Sequence, residues 1–346
     1  MSGLAGVVDI KGKREIPPQM PEQMLQSIKH RGPAGETIKR QPGIAMGMRY
    51  TRMPASSADE QPFVSEDGQM WAIIEGRILN HTDLRRRIES QGVHLTTQSD
   101  AELALRLYEL AGERCLDQLD GEFALVIWDG RRRCLFAARD RLGVHHLFYA
   151  VRDGIVYFAS EIKSILASGQ VERRLDLRAL DQVMFMNCPV APRTMFEGVS
   201  ALPAGYFLVI QEEEATHRPY WDLEFMPEEG QYDEEEYRER LLLLLREAVR
   251  IRVPSDRPVG VYLSGGLDSS TVAALMRENG QADFPAYFSD FAIPAFSERR
   301  FAELVASALG VRLNRIEMSF DRIAANFPKL IWHGEAPLVL AEATSL

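Results

Sequence analysis

The sequence has few cysteines, and that scarcity argues against several classes of site. Cys115, Cys134 and Cys188 are the only three in 346 residues, and no two of them form a CxxC pair. Isolated cysteines argue against a disulfide framework and against a structural zinc or iron–sulfur site. Because such cysteine usage is typical of proteins in a reducing compartment, we expect a cytoplasmic location.

The chain also lacks an excess of basic charge and any long apolar run. Its 50 acidic and 40 basic residues give a net charge of −10, which disfavours nucleic acid and anionic membranes as partners. The longest leucine run, residues 241–245, is far too short to span a bilayer, and residues 1–15 lack the apolar core of a secretory signal. The composition, 46% apolar and 26% charged, is that of a globular protein, and the length predicts about two domains.

Two blocks with different patterns follow one another along the chain. Residues 1–215 contain short β-type runs, such as residues 123–128, and a few amphipathic helices, which predicts a layered α+β domain. Residues 216–232 are acidic and contain prolines, and we interpret them as a linker. Residues 233–346 alternate strands and helices, which predicts a parallel α/β sheet, and Pro328 is expected to break or kink the last helix.

The most specific motif lies between the first strand and the next helix of the second block. It reads Leu263-Ser264-Gly265-Gly266-Leu267-Asp268-Ser269-Ser270, at the carboxyl edge of the predicted sheet, where open α/β sheets bind ligands. The two glycines let the backbone approach an anion, and the helix terminus and serine hydroxyls supply donors. Asp268 can orient these donors or help to hold a divalent cation. We therefore predict that this loop binds phosphate.

This loop resembles the pyrophosphate loop of the ATP-pyrophosphatase superfamily. Its members cleave ATP between the α and β phosphates and adenylate a carboxylate or carbonyl. The resemblance implies that ATP and Mg²⁺ bind here, with Asp268 as the metal contact. Ser289, on the next predicted strand, is a candidate neighbour of the adenosine, and ordinary sheet core is the alternative. The implied ATP-binding residues are Leu263, Ser264, Gly265, Gly266, Asp268, Ser269, Ser270 and Ser289.

A second resemblance covers almost the whole first block. The motifs that carry it, in chain order, include His30-Arg31-Gly32-Pro33, Ser99-Asp100-Ala101-Glu102, Gly121-Glu122-Phe123-Ala124 and Phe158-Ala159-Ser160-Glu161. They resemble the class II glutamine amidotransferase domain of asparagine synthetases, an αββα N-terminal-nucleophile fold. Together with the pyrophosphate loop, they make the whole chain resemble the asparagine synthetase family. The second block then corresponds to a partial adenine-nucleotide α-hydrolase-like domain.

Several positions depart from the family's glutaminase chemistry. Ser2 stands where the family has its nucleophilic cysteine, and a hydroxyl is a weaker nucleophile than a thiol. Glu75-Gly76-Arg77 replaces the family's Asn-Gly-Glu, so a carboxylate stands where an oxyanion donor is implied, and Arg77 would repel the ammonium of glutamine. Arg49 and Asp100 match the family's contacts to the carboxylate and amine of glutamine, and an ion pair or helix cap is the alternative for both. We expect a pocket remnant that does not hydrolyse glutamine efficiently.

A disabled glutaminase beside an intact ATP loop resembles the organisation of β-lactam synthetases, carbapenam synthetases and lasso-peptide cyclases. The sequence thus predicts an ATP-dependent amide-forming ligase, which adenylates a small-molecule or peptide carboxylate for attack by an amine. Two alternatives stay open. One is a glutamine-dependent asparagine synthetase with Ser2 as nucleophile, and the other is a non-catalytic binding or scaffolding module.

Glu335 and the length of the second block raise two further expectations. Glu335-Ala336-Pro337 resembles the family's acid before proline near the acyl-adenylate, which makes Glu335 a candidate substrate contact, with helix-end capping as an equal alternative. The second block is much shorter than the synthetase domains of the family. We therefore expect a fragment, or a synthetase half completed by a complementary chain, and a homodimer is a further possibility.

Overall fold

The computed structural model describes residues 2–12, 14–52, 60–212, 214–225, 233–254, 258–281, 283–291 and 297–337. The chain divides into two compact units, residues 1–224 with 335–337, and residues 225–334 with 338–346. Residues 216–219 of the predicted linker are the last four residues of the strand Glu214–Pro219, so the first unit extends further than expected. Residues 226–232 of that linker and residues 338–346 of the predicted second domain lie outside the described residues.

Two antiparallel sheets of six strands form the body of the first unit. The strands of the first sheet are β1 (Gly3–Asp9), β2 (Gly35–Gln41), β3 (Ile44–Tyr50), β8 (Phe148–Arg152), β9 (Ile155–Ala159) and β10 (Ser200–Ala201), in the order β10-β8-β9-β1-β3-β2. Those of the second are β4 (Phe63–Val64), β5 (Met70–Ile78), β6 (Gly121–Asp129), β7 (Cys134–Arg139), β11 (Tyr206–Gln211) and β12 (Glu214–Pro219), in the order β12-β11-β7-β6-β5-β4.

Helices cover the outer faces of both sheets. They are α1 (Gln19–Ser27), α2 (His81–Ser90), α3 (Asp100–Ala111) and α4 (Ile162–Ala167). A further helix, α5 (Leu177–Met186), packs in a separate small cluster with Met195. One buried apolar cluster joins α1 and α4 to the first sheet, a second lies between the sheets, and a third joins α2 and α3 to the second sheet. The result is the αββα sandwich that the sequence predicted.

Strand β1 shows why the sequence forms this sandwich. All seven of its residues are buried, and Leu4 and Val8 pack between the sheets, whereas Ala5 and Val7 pack toward the helices. A strand buried on both faces reads as a continuous apolar run. Gly6 faces the ring of Phe158, and a Cβ at Gly6 would lie 2.2 Å from that ring, so only glycine fits between them.

The second unit contains a three-stranded parallel sheet in the order β13-β14-β15. Its elements are α6 (Glu234–Arg252), β13 (Val261–Tyr262), α7 (Leu267–Glu278), β14 (Ala286–Phe291), α8 (Arg299–Leu309), β15 (Leu313–Met318) and α9 (Phe320–Gly334). The parallel pairing confirms the predicted βα alternation. Asp233 caps α6 by accepting from the backbone N–H of Glu235 at 3.2 Å.

The expected break at Pro328 is wrong, because α9 continues through it. Proline removes one hydrogen bond to the carbonyl four residues earlier, here that of Ala324. Both Pro328 and Ala324 are exposed, so water can hydrogen-bond the carbonyl that the proline leaves free. Among the helices of the described residues, none combines the length and apolar character that a bilayer crossing requires.

Replacing Phe158 with alanine tests the packing between the sheets. Phe158 is 1% exposed, so Phe158→Ala should lower the free energy of unfolding by about 3–5 kcal/mol, because it leaves a cavity beside Gly6. Urea unfolding followed by circular dichroism measures this change. The matched control is Phe185→Ala on α5, whose side chain is 84% exposed, and its effect should stay within about 0.5 kcal/mol. Equal effects of the two variants would contradict the assigned core.

Candidate functional site

Ser2, the predicted nucleophile position, lies at the start of β1. Its carbonyl oxygen accepts a hydrogen bond from Arg31 Nε at 3.0 Å, and its side chain is half-buried. The next residue but one, Leu4, donates its N–H to the hydroxyl of Ser160 at 2.8 Å. Ser160 directly follows β9, the strand that pairs with β1, so this hydrogen bond ties the start of β1 to the end of β9.

Glu75 places a carboxylate close to this terminus, as the sequence predicted, but the carboxylate is not free. Glu75 lies on β5 of the second sheet with no exposed surface, and it accepts hydrogen bonds from Arg31 Nη2 and from the Ser160 hydroxyl. His145 Nδ1 is 3.2 Å from Glu75 Oε1. Arg31 therefore binds both the Ser2 carbonyl and the Glu75 carboxylate, which makes them near neighbours.

The surroundings of Glu75 keep it ionised. Burial by itself raises the pKa of Glu75, but His145, Arg31 and Ser160 together outweigh burial and hold the pKa below its usual value. An ionised carboxylate has no hydrogen to donate, so Glu75 cannot act as an oxyanion donor. The family resemblance implies an oxyanion donor at this position, and in the structure the position carries an ionised carboxylate whose partners are already engaged.

The ion-pair network continues from Arg31 to Glu161. Arg31 Nη1 lies 3.1 Å from Glu161 Oε1, and His30 Nε2 lies 2.9 Å from the same oxygen. Lys163 Nζ contacts the other oxygen of Glu161. No role was predicted from the sequence for Arg31, His145, Ser160 or Glu161. All except His145 lie in the motifs that carry the family resemblance, and these motifs are the only sequence feature that could have identified them.

The two residues that match the family's glutamine contacts have structural partners instead. Arg49 is buried, and its guanidinium lies 2.7 Å from a Glu36 carboxylate oxygen and donates to the Leu25 carbonyl at 3.1 Å. Asp100, at the start of α3, accepts from the Ile78 N–H at 3.0 Å and lies 2.5 Å from His81 Nδ1. Arg49 therefore fits the ion-pair alternative, whereas Asp100 links β5 to the start of α2 and does not cap α3, whose N-cap is Ser99.

Gly76 and Arg77 complete the altered segment on β5. Gly76 has a φ of +99°, and a Cβ there would lie 1.9 Å from the Glu122 carbonyl oxygen, so this position requires glycine. Arg77 pairs in register with Glu122 on β6. The backbone of the Asn-Gly-Glu segment is therefore kept, whereas the side chains on both sides of its glycine have changed charge.

The pyrophosphate loop occupies the predicted place, between β13 and α7. Leu263 is buried and donates its N–H to the Tyr287 carbonyl at 2.8 Å, which fixes the loop's start to β14. Gly265 has a φ of +85°, and a Cβ there would lie 2.5 Å from the Ala302 nitrogen of α8. Ser264 Oγ lies 3.0 Å from Ser269 Oγ and accepts from the Gly266 N–H at 3.2 Å.

The start of α7 leaves donors and one carboxylate available to a ligand. The helix begins at Leu267, so Asp268 lies in its first turn, where it is exposed. Ser270 Oγ is buried without a hydrogen-bond partner in the described part of the chain. Gly266 at the N-cap offers no side-chain acceptor to the first amides of the helix. These amides, hydroxyls and the glycine cradle fit a phosphate group.

Ser289 lies at the carboxyl end of β14 and is half-buried. The sequence analysis missed the neighbouring Asp290, which is buried and accepts from the Ser297 hydroxyl at 2.6 Å. Arg315 Nε lies 2.6 Å from the other Asp290 oxygen. Asp290 thereby ties the residues just before α8 to the sheet, and α8 is the helix against which Gly265 packs.

Glu335 is held by the first unit. Its carboxylate accepts from the backbone N–H groups of Ile162 and Lys163, each at 2.6 Å, and pairs with Lys163 Nζ at 2.9 Å. Within the described residues, none of its hydrogen bonds or ion pairs involves the pyrophosphate loop. The structure thus shows Glu335 as the cap of α4, the alternative role that the sequence left open for it.

The first unit defines a class of protein before any relative is considered. Two packed antiparallel sheets between helical layers, with the second residue of the chain at an interior strand, are the architecture of N-terminal-nucleophile amidotransferases. A family model described as a glutamine amidotransferase domain matches residues 1–221. A second model, described as asparagine synthase, matches residues 240–346. The chain belongs to the asparagine synthetase family, as its motifs predicted.

Curated relatives agree with this assignment. The chain is 34% identical over 336 residues to amidase chyE of Penicillium rubens, an alignment that covers 92% of this chain and 49% of the relative. It is 31% identical over 318 residues to asparagine synthetase [glutamine-hydrolyzing] 1 of Bacillus subtilis, which covers 92% and 50%. Amidase chry2 of Gibberella zeae is 33% identical over 339 residues, which covers 92% and 50%. The chain spans about half the length of these relatives.

Acidification tests the charge state of Glu75. Its pKa is lower in the folded chain than the unfolded value of 4.5, so its ion pairs stabilise the fold above pH 4.5. That contribution is lost as the pH falls below 4.5 toward the folded pKa. At pH 7, Glu75→Gln should lower the free energy of unfolding by about 3 kcal/mol, because a buried pair loses one partner.

The difference between wild type and Glu75→Gln should shrink as the pH falls below 4.5, which urea unfolding at several pH values measures. The matched control is Glu172→Gln at an exposed glutamate, with little effect at any pH. A Glu75→Gln penalty that grows on acidification would contradict an ionised Glu75.

Proposed function

We propose that this chain belongs to an ATP-dependent, amide-forming ligase that adenylates a substrate carboxylate and does not use its glutaminase position. The observation that carries the proposal is the contrast between the two units. A buried, ionised Glu75 stands beside Ser2, whereas the loop from Leu263 to Ser270 keeps a glycine cradle and free donors. Family membership supports ligase chemistry, and the contrast assigns it to the second unit.

The loop supplies the contacts that ATP requires. The backbone amide of Gly265 and the first amides of α7 bind the pyrophosphate end, together with the hydroxyls of Ser264, Ser269 and Ser270. The buried Ser270 Oγ gains the partner that the protein does not provide. Asp268 is exposed in the first turn and holds the Mg²⁺ that neutralises the phosphates.

The reaction then follows the chemistry of the bound groups. A carboxylate oxygen of the substrate attacks the α-phosphorus of ATP, the bond to the bridging oxygen breaks, and pyrophosphate leaves with its charge held by the loop. An amine next attacks the activated acyl carbon, loses a proton and displaces AMP. The loop residues position the phosphates and hold the leaving group, and they do not themselves form covalent bonds.

Nitrogen does not come from glutamine in this proposal. An attack on the glutamine amide would place negative charge on its oxygen, close to the fixed charge of Glu75. Arg49 and Asp100 already have partners within the first unit, so the family's clamp for the glutamine backbone is occupied. The nitrogen donor is therefore an amine, which can belong to the same molecule as the carboxylate.

We also propose that further polypeptide covers part of the second unit. Several large apolar side chains are exposed around its sheet and loop: Tyr262, Leu267, Phe301, Leu304, Phe320 and Trp332. An exposed apolar surface of this kind is typical of an interface. Because the relatives are about twice as long as the aligned region, a complementary synthetase half is the favoured cover, and a second copy of the chain is the alternative.

The three cysteines support a cytoplasmic location. Cys115 and Cys134 are buried and free, and Cys188 is exposed and free. Burial raises the pKa of the Cys134 thiol to about 11, so this thiol stays protonated and unreactive. Three free thiols are typical of a reducing compartment, which supports the proposal without establishing it.

Restoring the nucleophile alone should not restore glutamine hydrolysis. With Met1 removed, Ser2→Cys supplies the family's thiol, but Glu75 remains an acceptor-only anion beside it. We expect glutamate release from glutamine to stay at the level of a Ser2→Ala control, measured by coupled glutamate dehydrogenase. Sustained glutamate release by Ser2→Cys would favour a working glutamine-dependent asparagine synthetase and would refute the argument from Glu75.

Binding of a fluorescent ATP analogue tests the second unit. With mant-ATP and MgCl₂, Asp268→Asn and Ser270→Ala should each raise the Kd about tenfold, because each loses a contact to a charged group. The matched control is Asp321→Asn, which removes an exposed carboxylate from the first turn of α9 and should leave the Kd unchanged. Absence of binding by the wild type would favour a scaffolding module instead.

A further inference from the structure

A cavity lies on the outer face of the second sheet of the first unit, beside the end of α3. It has a volume of about 660 Å³, within the range of small-molecule sites. Strands β7, β11 and β12 form its floor, where the helices of this face no longer cover the sheet, and residues 111–114 form one wall. Its lining residues include none from the Ser2 position, the β5 segment or the pyrophosphate loop.

The floor of the cavity is apolar. Phe136 on β7, Val209 on β11 and Thr216 on β12 form one cross-strand row, because Val209 pairs in register with both of its neighbours. Tyr108 of α3 stands against this row, with its ring centroid 5.0 Å from that of Phe136. An apolar group of a ligand can therefore lie against the row and beside an aromatic ring.

Tyr108 also carries a hydroxyl that the protein leaves without a partner. The residue is only 6% exposed, lines the cavity, and forms no hydrogen bond within the described residues. Burial raises the pKa of Tyr108, so the hydroxyl keeps its hydrogen and acts as a donor. Because the described residues provide no acceptor for it, the hydroxyl is available to a ligand that enters the cavity.

Charges of both signs surround the rim. Arg218 and Glu113 lie 3.6 Å apart and neutralise each other. The rest of the rim carries two cations, Arg114 and Arg132, and two anions, Glu212 and Glu214. None of these four side chains forms an ion pair within the described residues. Two unpaired cations and two unpaired anions match a ligand that itself carries both charges.

We propose that this cavity binds a free α-amino acid with an apolar side chain. The carboxylate of the ligand meets Arg132 or Arg114 and accepts from the Tyr108 hydroxyl. Its ammonium meets Glu212 or Glu214, and its side chain lies on the row of Phe136 and Val209. This site is independent of the function proposed above, since it shares no residue with either candidate site.

Isothermal titration of the whole chain with L-phenylalanine tests the proposal. The two comparison ligands each lack one charge: 3-phenylpropanoate has no ammonium, and 2-phenylethylamine has no carboxylate. We expect both to bind at least about tenfold more weakly than L-phenylalanine, since each leaves two rim charges unmatched. Binding of 3-phenylpropanoate as tight as that of L-phenylalanine would overturn the zwitterionic class.

Two variants locate the binding on this cavity. Tyr108→Phe removes a single oxygen and should raise the Kd of L-phenylalanine about fivefold, and Arg132→Ala should raise it about tenfold. Their matched controls are Tyr237→Phe on α6 and the exposed Arg173→Ala, both of which should bind as the wild type does. Thermal unfolding midpoints confirm that each variant is folded.

Two results would overturn the proposal. The first is no measurable heat with L-phenylalanine or L-leucine up to about 10 mM, which places any Kd above the useful range. The second is binding that Tyr108→Phe and Arg132→Ala leave unchanged, since the ligand would then lie elsewhere on the chain. Neither result depends on the outcome of the ATP-binding or glutamine-hydrolysis experiments.

Discussion

The chemistry of the first unit depends on one buried ion pair, between Glu75 on β5 and Arg31. Arg31 is the last residue of a short 3₁₀ helix, Lys29–Arg31. Arg31 also donates to the Ser2 carbonyl, so the ion pair connects the start of the chain to β5. A buried charge without a partner is costly, which means that neither residue can change alone without loss of stability. The network that stabilises the sandwich thus also keeps an ionised carboxylate at the position where the family resemblance implies an oxyanion donor.

The second unit shows the opposite relation between structure and chemistry. Its loop keeps the positive φ of Gly265, the serine hydroxyls and the exposed Asp268. Asp290 accepts a hydrogen bond from Ser297, just before α8, and so ties the helix against which Gly265 packs to the sheet. This contrast between the two units is the basis of the proposal that the ligase takes its nitrogen from an amine.

Most of the fold could be predicted from the sequence, because it rests on local patterns. The β-type run at residues 123–128 and the βα alternation of the second block were both readable, and both are confirmed. The partners of Arg49 and Glu335 could not be predicted, because each bonds residues distant in sequence. The predicted break at Pro328 was wrong because helix propensity takes no account of whether water can hydrogen-bond the carbonyl that the proline leaves free.

The most direct measurement of the central claim is glutamate release by the wild-type chain after removal of Met1, at saturating glutamine and neutral pH. The account predicts no release above a protein-free blank, because Glu75 is ionised and bonded beside Ser2 at that pH. Steady release that is lost in Ser2→Ala would contradict the account, since the hydroxyl of Ser2 would then be an active nucleophile despite the anion beside it.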